Sequence, residues 1–217
     1  MDTPQALPIL DAIELRVLGS LIEKSRATPD YYPMTVNAIA LACNQKTSRK
    51  PVVSYDDETV MEALNTLKRR GLVSTATGGS SRAIKYKHNL AIVYPLIPSE
   101  LAIMCLLMLR GPQTPGEINT NAGRLYEFES IEEVQEMLEK LAGGETPFVL
   151  QLPKRPGQKE ARYAHLLAGE PEVISEEDDD DQSTGRSNSG LEARLAKVEQ
   201  ELAELKEAFD KLMKELS

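Results

Sequence analysis

Four short patterns occur twice along this chain, in the same order. Glu14-Leu15-x-Val17-Leu18 returns as Glu100-Leu101-x-Ile103-Met104 after 86 residues, and Thr35-x-x-x-Ile39 returns as Thr114-x-x-x-Ile118 after 79. Val60-x-Glu62-x-Leu64-x-x-Leu67 matches Val134-x-Glu136-x-Leu138-x-x-Leu141 at 74, and Lys85-Tyr86-x-His88-x-Leu90 matches Arg162-Tyr163-x-His165-x-Leu167 at 77. Ordered self-similarity marks a duplicated unit, so whatever the first copy folds into, the second must fold into as well. The drifting offset locates insertions. Copy one is longer by 7 residues between the first and second echoes and by 5 between the second and third, while copy two is longer by 3 between the third and fourth. The segment NQKTSRKP, residues 44–51, lies in the 5-residue interval.

Within each copy the hydrophobic spacing predicts three helices and then two strands. In copy one, Ile13, Val17, Leu18, Leu21 and Ile22 recur at helical spacing over residues 11–25. A Pro/Tyr-rich connector precedes a short helix over 35–43, and a third helix is expected over 57–70. Ser54 or Asp56 is placed to cap the third helix and Gly71 to stop it. LVSTA and RAIKYKH then read as two short strands around a Gly-Gly-Ser-Ser turn. In copy two, SELAIMCLLMLRG is so uniformly apolar that it is expected to be buried on several sides, between domains or subunits. Thr114-Pro115-Gly116-Glu117 is a capping-box start, SIEEVQEMLEKLAGG the third helix, and PFVLQL with ARYAHLL a hairpin tipped by KRPGQK.

Three helices followed by a hairpin describe a winged helix-turn-helix, although the order alone also admits other small α+β folds. The expectation is a mainly α (α+β) chain. Winged-helix domain 1 would occupy residues 1–91, winged-helix domain 2 residues 92–168, a disordered acidic linker 169–190, and a coiled-coil oligomerisation helix 191–217. The segments LACNQKTSRKPV, LKRRGLV, LLMLRGPQTPGEI, RLYEF and RYAHL resemble the YceH-like bacterial proteins, an uncharacterised family built from tandem winged helices. The resemblance spans about residues 10–168 and implies that fold and a cytoplasmic bacterial setting. It implies no particular activity, which must be argued from a site.

The tail differs in kind from what precedes it. EPEVISEEDDDDQSTGRSNSG has too few apolar residues to offset the entropy of ordering it, and the acidic run 176–181 within it is expected to be solvated. Leu191, Leu195, Val198, Leu202, Leu205, Phe209, Leu212 and Leu216 then follow at alternating spacings of 4 and 3, a heptad seam suited to a homodimeric coiled coil. The competing reading is an amphipathic helix folded back on its own domain.

Charge divides along the same boundaries. Residues 1–90 hold 12 Lys/Arg against 9 Asp/Glu, residues 91–168 hold 7 against 10, and residues 169–217 hold 6 against 15. The net charge of −9 therefore belongs to the tail, and the first copy is mildly basic. No run approaches the roughly 18 apolar residues of a membrane span, and MDTPQALPIL lacks a secretory pattern, so a cytoplasmic location is expected. Cys43 and Cys105 sit among apolar residues and read as core positions rather than as a disulfide.

No catalytic or phosphate-loop motif is present, so a non-enzymatic protein without a cofactor or bound metal is expected. The repeated Tyr-x-His pairs read as hairpin packing. Double-stranded DNA is one candidate partner. Asn44, Gln45, Lys46, Arg49 and Lys50 in the loop, Arg82, Lys85 and Lys87 in the first hairpin, and Lys154, Arg155 and Lys159 in the second offer donors for phosphates. The third helices disagree: Asp56, Asp57 and Glu58 open one, Glu132 and Glu133 the other, and Lys68, Arg69 and Arg70 lie at the wrong end for groove insertion. A DNA-binding, regulator-like homo-oligomer is nonetheless the expected reading, with a protein-interaction scaffold for an unidentified partner as the alternative and a plain polar insertion as the bland account of NQKTSRKP.

Overall fold

The computed structural model describes residues 7–76, 83–154 and 157–171. The expected acidic linker, the heptad positions from Leu191 to Leu216, and Arg82 and Arg155 lie outside the described residues. Copy one contains α1 (Ala12–Ala27), a 3-10 turn (Pro29–Tyr31), α2 (Val36–Cys43), α3 (Asp57–Arg69), β1 (Val73–Ala76) and β2 (Lys85–His88). A short α4 (Leu90–Val93) leads into copy two: α5 (Pro98–Arg110), α6 (Pro115–Ala122), α7 (Ile131–Ala142), β3 (Val149–Gln151) and β4 (Tyr163–His165). The described chain is thus mainly helical with two antiparallel two-stranded sheets.

Local chemistry sets the helix boundaries. Asp11 accepts from the backbone of Ile13 and Glu14 at 2.8 Å each, and the Glu14 carboxylate answers from Asp11 N at 3.0 Å. These bonds satisfy donors that a helix start leaves unpaired. Thr35, Asp56, Thr114 and Ser130 cap their helices in the same way, and Gly71, with φ 76°, ends α3 where a side chain would be strained. Of the two expected caps for α3, Asp56 is the one used.

The duplication extends to bonds that the echoes do not name. In copy one, Met34 pairs with Tyr86 through N–H···O bonds of 3.1 and 2.7 Å; in copy two, Gln113 pairs with Tyr163 at 3.1 and 2.8 Å. Each hairpin is thereby stitched to the residue preceding the N-cap of its second helix. The glutamates of the first echo also correspond. Glu14 and Glu100 are both buried, and each accepts from the backbone N–H three residues before it. Each also faces a cation at the far end of the third helix, Arg70 at 3.6 Å and Lys140 at 2.6 Å.

The two copies share one continuous core. Every residue of α5 from Ser99 to Leu109 is buried, with α1 on one side and α6, α7 and β4 around the rest. The crossing with α1 is close because Gly19 has no side chain. A Cβ there would sit 2.9 Å from Leu109 Cδ2 and 3.0 Å from its Cγ, and Leu109 is itself buried. The Cys105 thiol donates to Gly19 O at 3.4 Å, and Cys43 and Cys105 are both unpaired core residues. Two further links close the unit: Leu10 N donates to Leu167 O at 2.7 Å, and Tyr94 meets Phe148 edge-on with centroids 5.4 Å apart. Among the described residues no helix is long and apolar enough to cross a membrane.

The hairpins pack inward through the repeated Tyr-x-His. Tyr86 and Tyr163 are buried. The Ser25 hydroxyl donates to Ile22 O at 2.7 Å and lies 3.2 Å from His88 Nε2. His88 Nε2 must then be the donor, which leaves Nδ1 a buried acceptor without a partner; His165 Nδ1 is likewise buried without a partner. Burial, helped by the Arg26 charge, lowers the His88 pKa to about 4, and burial lowers that of His165 to about 4.

Two outcomes follow from this packing. Gly19→Val forces atoms into the buried Leu109 side chain and should lower unfolding stability by about 2–3 kcal/mol, read from chemical denaturation. Between pH of about 6.5 and 4 the unfolded chain takes up protons that the folded histidines refuse, so stability falls as pH falls through that window. Each histidine contributes a slope of about 1.4 kcal/mol per pH unit there, and His165→Phe should make the acid-side decline in urea midpoint visibly shallower.

Candidate nucleic-acid interface

The loop that carries NQKTSRKP is held from the first helix. Between α2 and α3 copy one spends residues 44–56, whereas copy two spends only 123–130, which places the 5-residue excess in this loop. Arg16 and Glu23, seven residues apart and hence two turns along one face of α1, reach it. Arg16 is buried and donates to Cys43 O at 3.1 Å and Pro51 O at 2.6 Å. Glu23 receives Arg49 in a two-pronged pair, Nη1 to Oε1 at 3.0 Å and Nη2 to Oε2 at 2.7 Å. Arg49 also donates to Ala42 O from Nε and Nη2, at 3.2 and 3.0 Å. Two arginines thus satisfy carbonyls that the end of α2 leaves unpaired, where cations are favoured by the helix dipole.

The remaining loop bonds fix its shape. The Asn44 amide both donates to Tyr55 O and accepts from Tyr55 N, at 2.8 Å each. Gln45 Oε1 accepts from Arg49 at 3.2 Å and Lys24 at 3.4 Å. Copy two closes over the tip: Lys50 N donates to Leu109 O at 2.9 Å, and Arg110 donates to Ser48 Oγ and Asn121 Oδ1 at 2.8 Å each. Ser48 is the one described non-glycine residue with positive φ, 61°, and contacts from Arg110 and Arg49 hold it there. Desolvation works to raise the Glu23 pKa, but Arg49, with Lys24, outweighs it and holds the carboxyl below its usual value. Burial, and then the Arg49 charge, lower the pKa of Arg16.

This geometry corrects part of the expected contact set. The Arg49 side chain has no exposed surface, so it is a structural ion pair and presents no charge to a ligand in solution. Asn44 and Gln45 are half-buried and committed to the loop. Lys46 and Lys50 are exposed. In the hairpins Lys85 is half-buried, Lys87, Lys154 and Lys159 are exposed, and Lys154 Nζ donates to Lys159 O at 3.3 Å. Arg162, the counterpart of Lys85, is bound to Glu117 by two 2.9 Å bonds. Arg70 faces Glu14, which accounts for one of the cations at the far end of α3.

The exposed faces of the third helices are acidic where groove insertion would require the reverse. Over its first two turns α3 presents Asp57, Glu58, Met61 and Glu62 before Lys68 and Arg69 in its last turn, and α7 presents Glu132, Gln135, Glu136 and Glu139 before Lys140. Sequence reasoning missed Arg16, Glu23 and Arg110. The available signal was that Arg16 interrupts an apolar face at helical spacing with Glu23, a position that only a buried partner makes tolerable.

Other constellations are limited. The Ser25 hydroxyl is spent on Ile22 O and His88 Nδ1 has no partner, so this pair lacks the arrangement of an activated nucleophile. Among the described residues no three His, Cys, Asp or Glu side chains are gathered as a metal site would need.

A duplicated helix–hairpin unit around one core, with a loop clamped at the junction of its copies, defines a class of mainly helical, internally repeated protein. The chain belongs to the family described as "Protein of unknown function, DUF480", whose model matches residues 10–158. Bacterial relatives carry the name UPF0502 protein. The one from Solibacter usitatus is 47% identical over 201 residues, covering 93% of this chain and 95% of the relative. That from Shewanella sp. strain MR-4 is 41% identical over 216 residues, covering 94% and 97%, and that from Geobacter metallireducens is 48% identical over 169, covering 78% and 77%. These matches agree with the YceH-like motifs read from the sequence.

Arg49→Ala should lower stability by about 2–3 kcal/mol, because it leaves Glu23 with Lys24 alone and the Ala42 carbonyl without its side-chain donors. Lys46→Ala should stay within about 0.5 kcal/mol of the parent. A double-mutant cycle with Glu23→Gln, measured by urea unfolding, should return a coupling of at least about 1 kcal/mol between the pair.

Proposed function

We propose that this chain is a non-enzymatic protein-interaction scaffold: two tandem winged helix-turn-helix units fused through their first helices, self-associated through the C-terminal heptad seam. The observation that carries this reading is the acidity of the N-terminal part of both third-helix faces. In a DNA-binding winged helix the N-terminal part of that helix enters the major groove; Asp57, Glu58, Glu132 and Glu136 would there meet phosphate-lined walls. The same faces suit a protein partner with complementary basic side chains, and Met61, 36% exposed, adds an apolar contact beside the carboxylates. Pairing through Leu191 to Leu216 would present each face twice and raise avidity without new contacts. Cytoplasmic placement belongs to the same reading.

The second reading is a DNA-binding, regulator-like homo-oligomer. The exposed Lys46, Lys50, Lys87, Lys154 and Lys159 favour it, since loop and hairpin lysines can hold a phosphate backbone without groove insertion.

Titration of fluorescent duplex DNA with the full chain, from about 50 to 200 mM salt, separates the two readings. The scaffold reading expects no binding tighter than ordinary non-specific association, on the order of 10⁻⁴ M, and no effect of Lys46→Ala with Lys87→Ala. Tight binding with a steep salt slope that these substitutions reduce would replace it with the DNA reading.

A further inference from the structure

The junction between the two copies carries more positive charge than its own carboxylates offset. Arg16, Lys24, Arg49 and Arg110 surround the loop, and Glu23 is the one carboxylate within ion-pairing distance of any of them among the described residues. Arg16 and Arg110 donate only to neutral acceptors: Cys43 O and Pro51 O for the first, Asn121 Oδ1 and Ser48 Oγ for the second. Burial lowers the pKa of both; Arg49 adds to this at Arg16, whereas at Arg110 the Glu23 carboxylate opposes it before Arg49 adds to it. Four cations against one carboxylate leave a formal excess of three. The carbonyl ends of α2 and α5 take about half a charge each, which leaves roughly two.

We propose that this junction is an oxyanion site for a phosphate dianion, free or carried as a phosphomonoester, held by Arg110 and the Ser48 hydroxyl. Arg110 is partly exposed at the C-terminal end of α5 and keeps N–H donors beyond the two it uses. Ser48 accepts from Arg110, so its own proton is available to a ligand oxygen, and Arg49 holds its backbone carbonyl. Lys46 is exposed on the same loop and adds charge at the rim. A dianion offsets more of this excess than a single carboxylate would. The planar fork of arginine suits the oxygens of such a group. Binding here is independent of what the third helices contact and needs no bond to form or break.

The test is thermal unfolding and calorimetry of the full chain with inorganic phosphate and, separately, O-phosphoserine, against sodium chloride and acetate at matched ionic strength. Saturable stabilisation by phosphate or phosphoserine is expected, with apparent affinity weakened about tenfold or more by Arg110→Met and severalfold by Ser48→Ala. Arg69→Ala, an exposed cation at the end of α3, should leave it unchanged. Binding of phosphoserine alone assigns the ligand to an esterified group, and equal binding assigns it to the phosphate itself. Stabilisation that follows ionic strength only, acetate equalling phosphate, or undiminished binding in the variants overturns the proposal. Should Arg110→Met fail to fold, Ser48→Ala, altering an exposed side chain, decides the matter alone.

Discussion

The close passage of α1 over α5 is the contact on which the rest of the structure depends. It is close because Gly19 leaves room that the buried Leu109 side chain fills, with Met108 in contact beside it. Through it the two first helices become a single central layer, and each copy arranges its remaining helices and hairpin around its own half. An apolar helix such as α5 would be a liability at a surface; between the copies it is covered on every side. The crossing also brings the end of α5 to the loop of copy one, so Arg110 and Leu109 O lie within reach of Ser48 and Lys50 N.

That placement changes what a basic loop means. Charge in a loop is usually read as something offered to solvent. Here the central guanidinium is turned inward onto Glu23 and the carbonyls of α2, and only the flanking lysines face out. Burying an ion pair is costly unless its remaining donors are satisfied. Arg49 meets that condition by pairing with a carboxylate, two backbone carbonyls and the Gln45 amide. The loop is therefore a brace between helices before it is anything else.

Much of the architecture was legible in the sequence because duplication tests each reading twice. The helix starts at Thr35 and Thr114, the stop at Gly71, the burial of SELAIMCLLMLRG and the inward-facing tyrosines all follow from local patterns, and the structure has them. The 5-residue excess was also placed correctly, between α2 and α3. What could not be read was the destination of individual charges. Arg49 and Lys46 look alike in a sequence, three residues apart, yet one is sealed and the other exposed. Their difference is set by Glu23 and Arg16, more than twenty residues earlier, and by a helix from the other copy. Local periodicity carries no information about such partners.

The paired glutamates, Glu14 and Glu100, have a further consequence. Each anchors the start of its own first helix and faces the end of its third, so each sets the separation between two fixed points of its copy. Those points are 56 residues apart along the chain in copy one and 40 in copy two. Of the 16 extra residues in copy one, 12 lie ahead of the third helix, mostly in the connections, and the other four arise because Lys140 sits one turn earlier on its helix than Arg70 does. A frame of this kind separates what must stay constant from what is free to diverge. It lets the two copies carry different surfaces on the same frame.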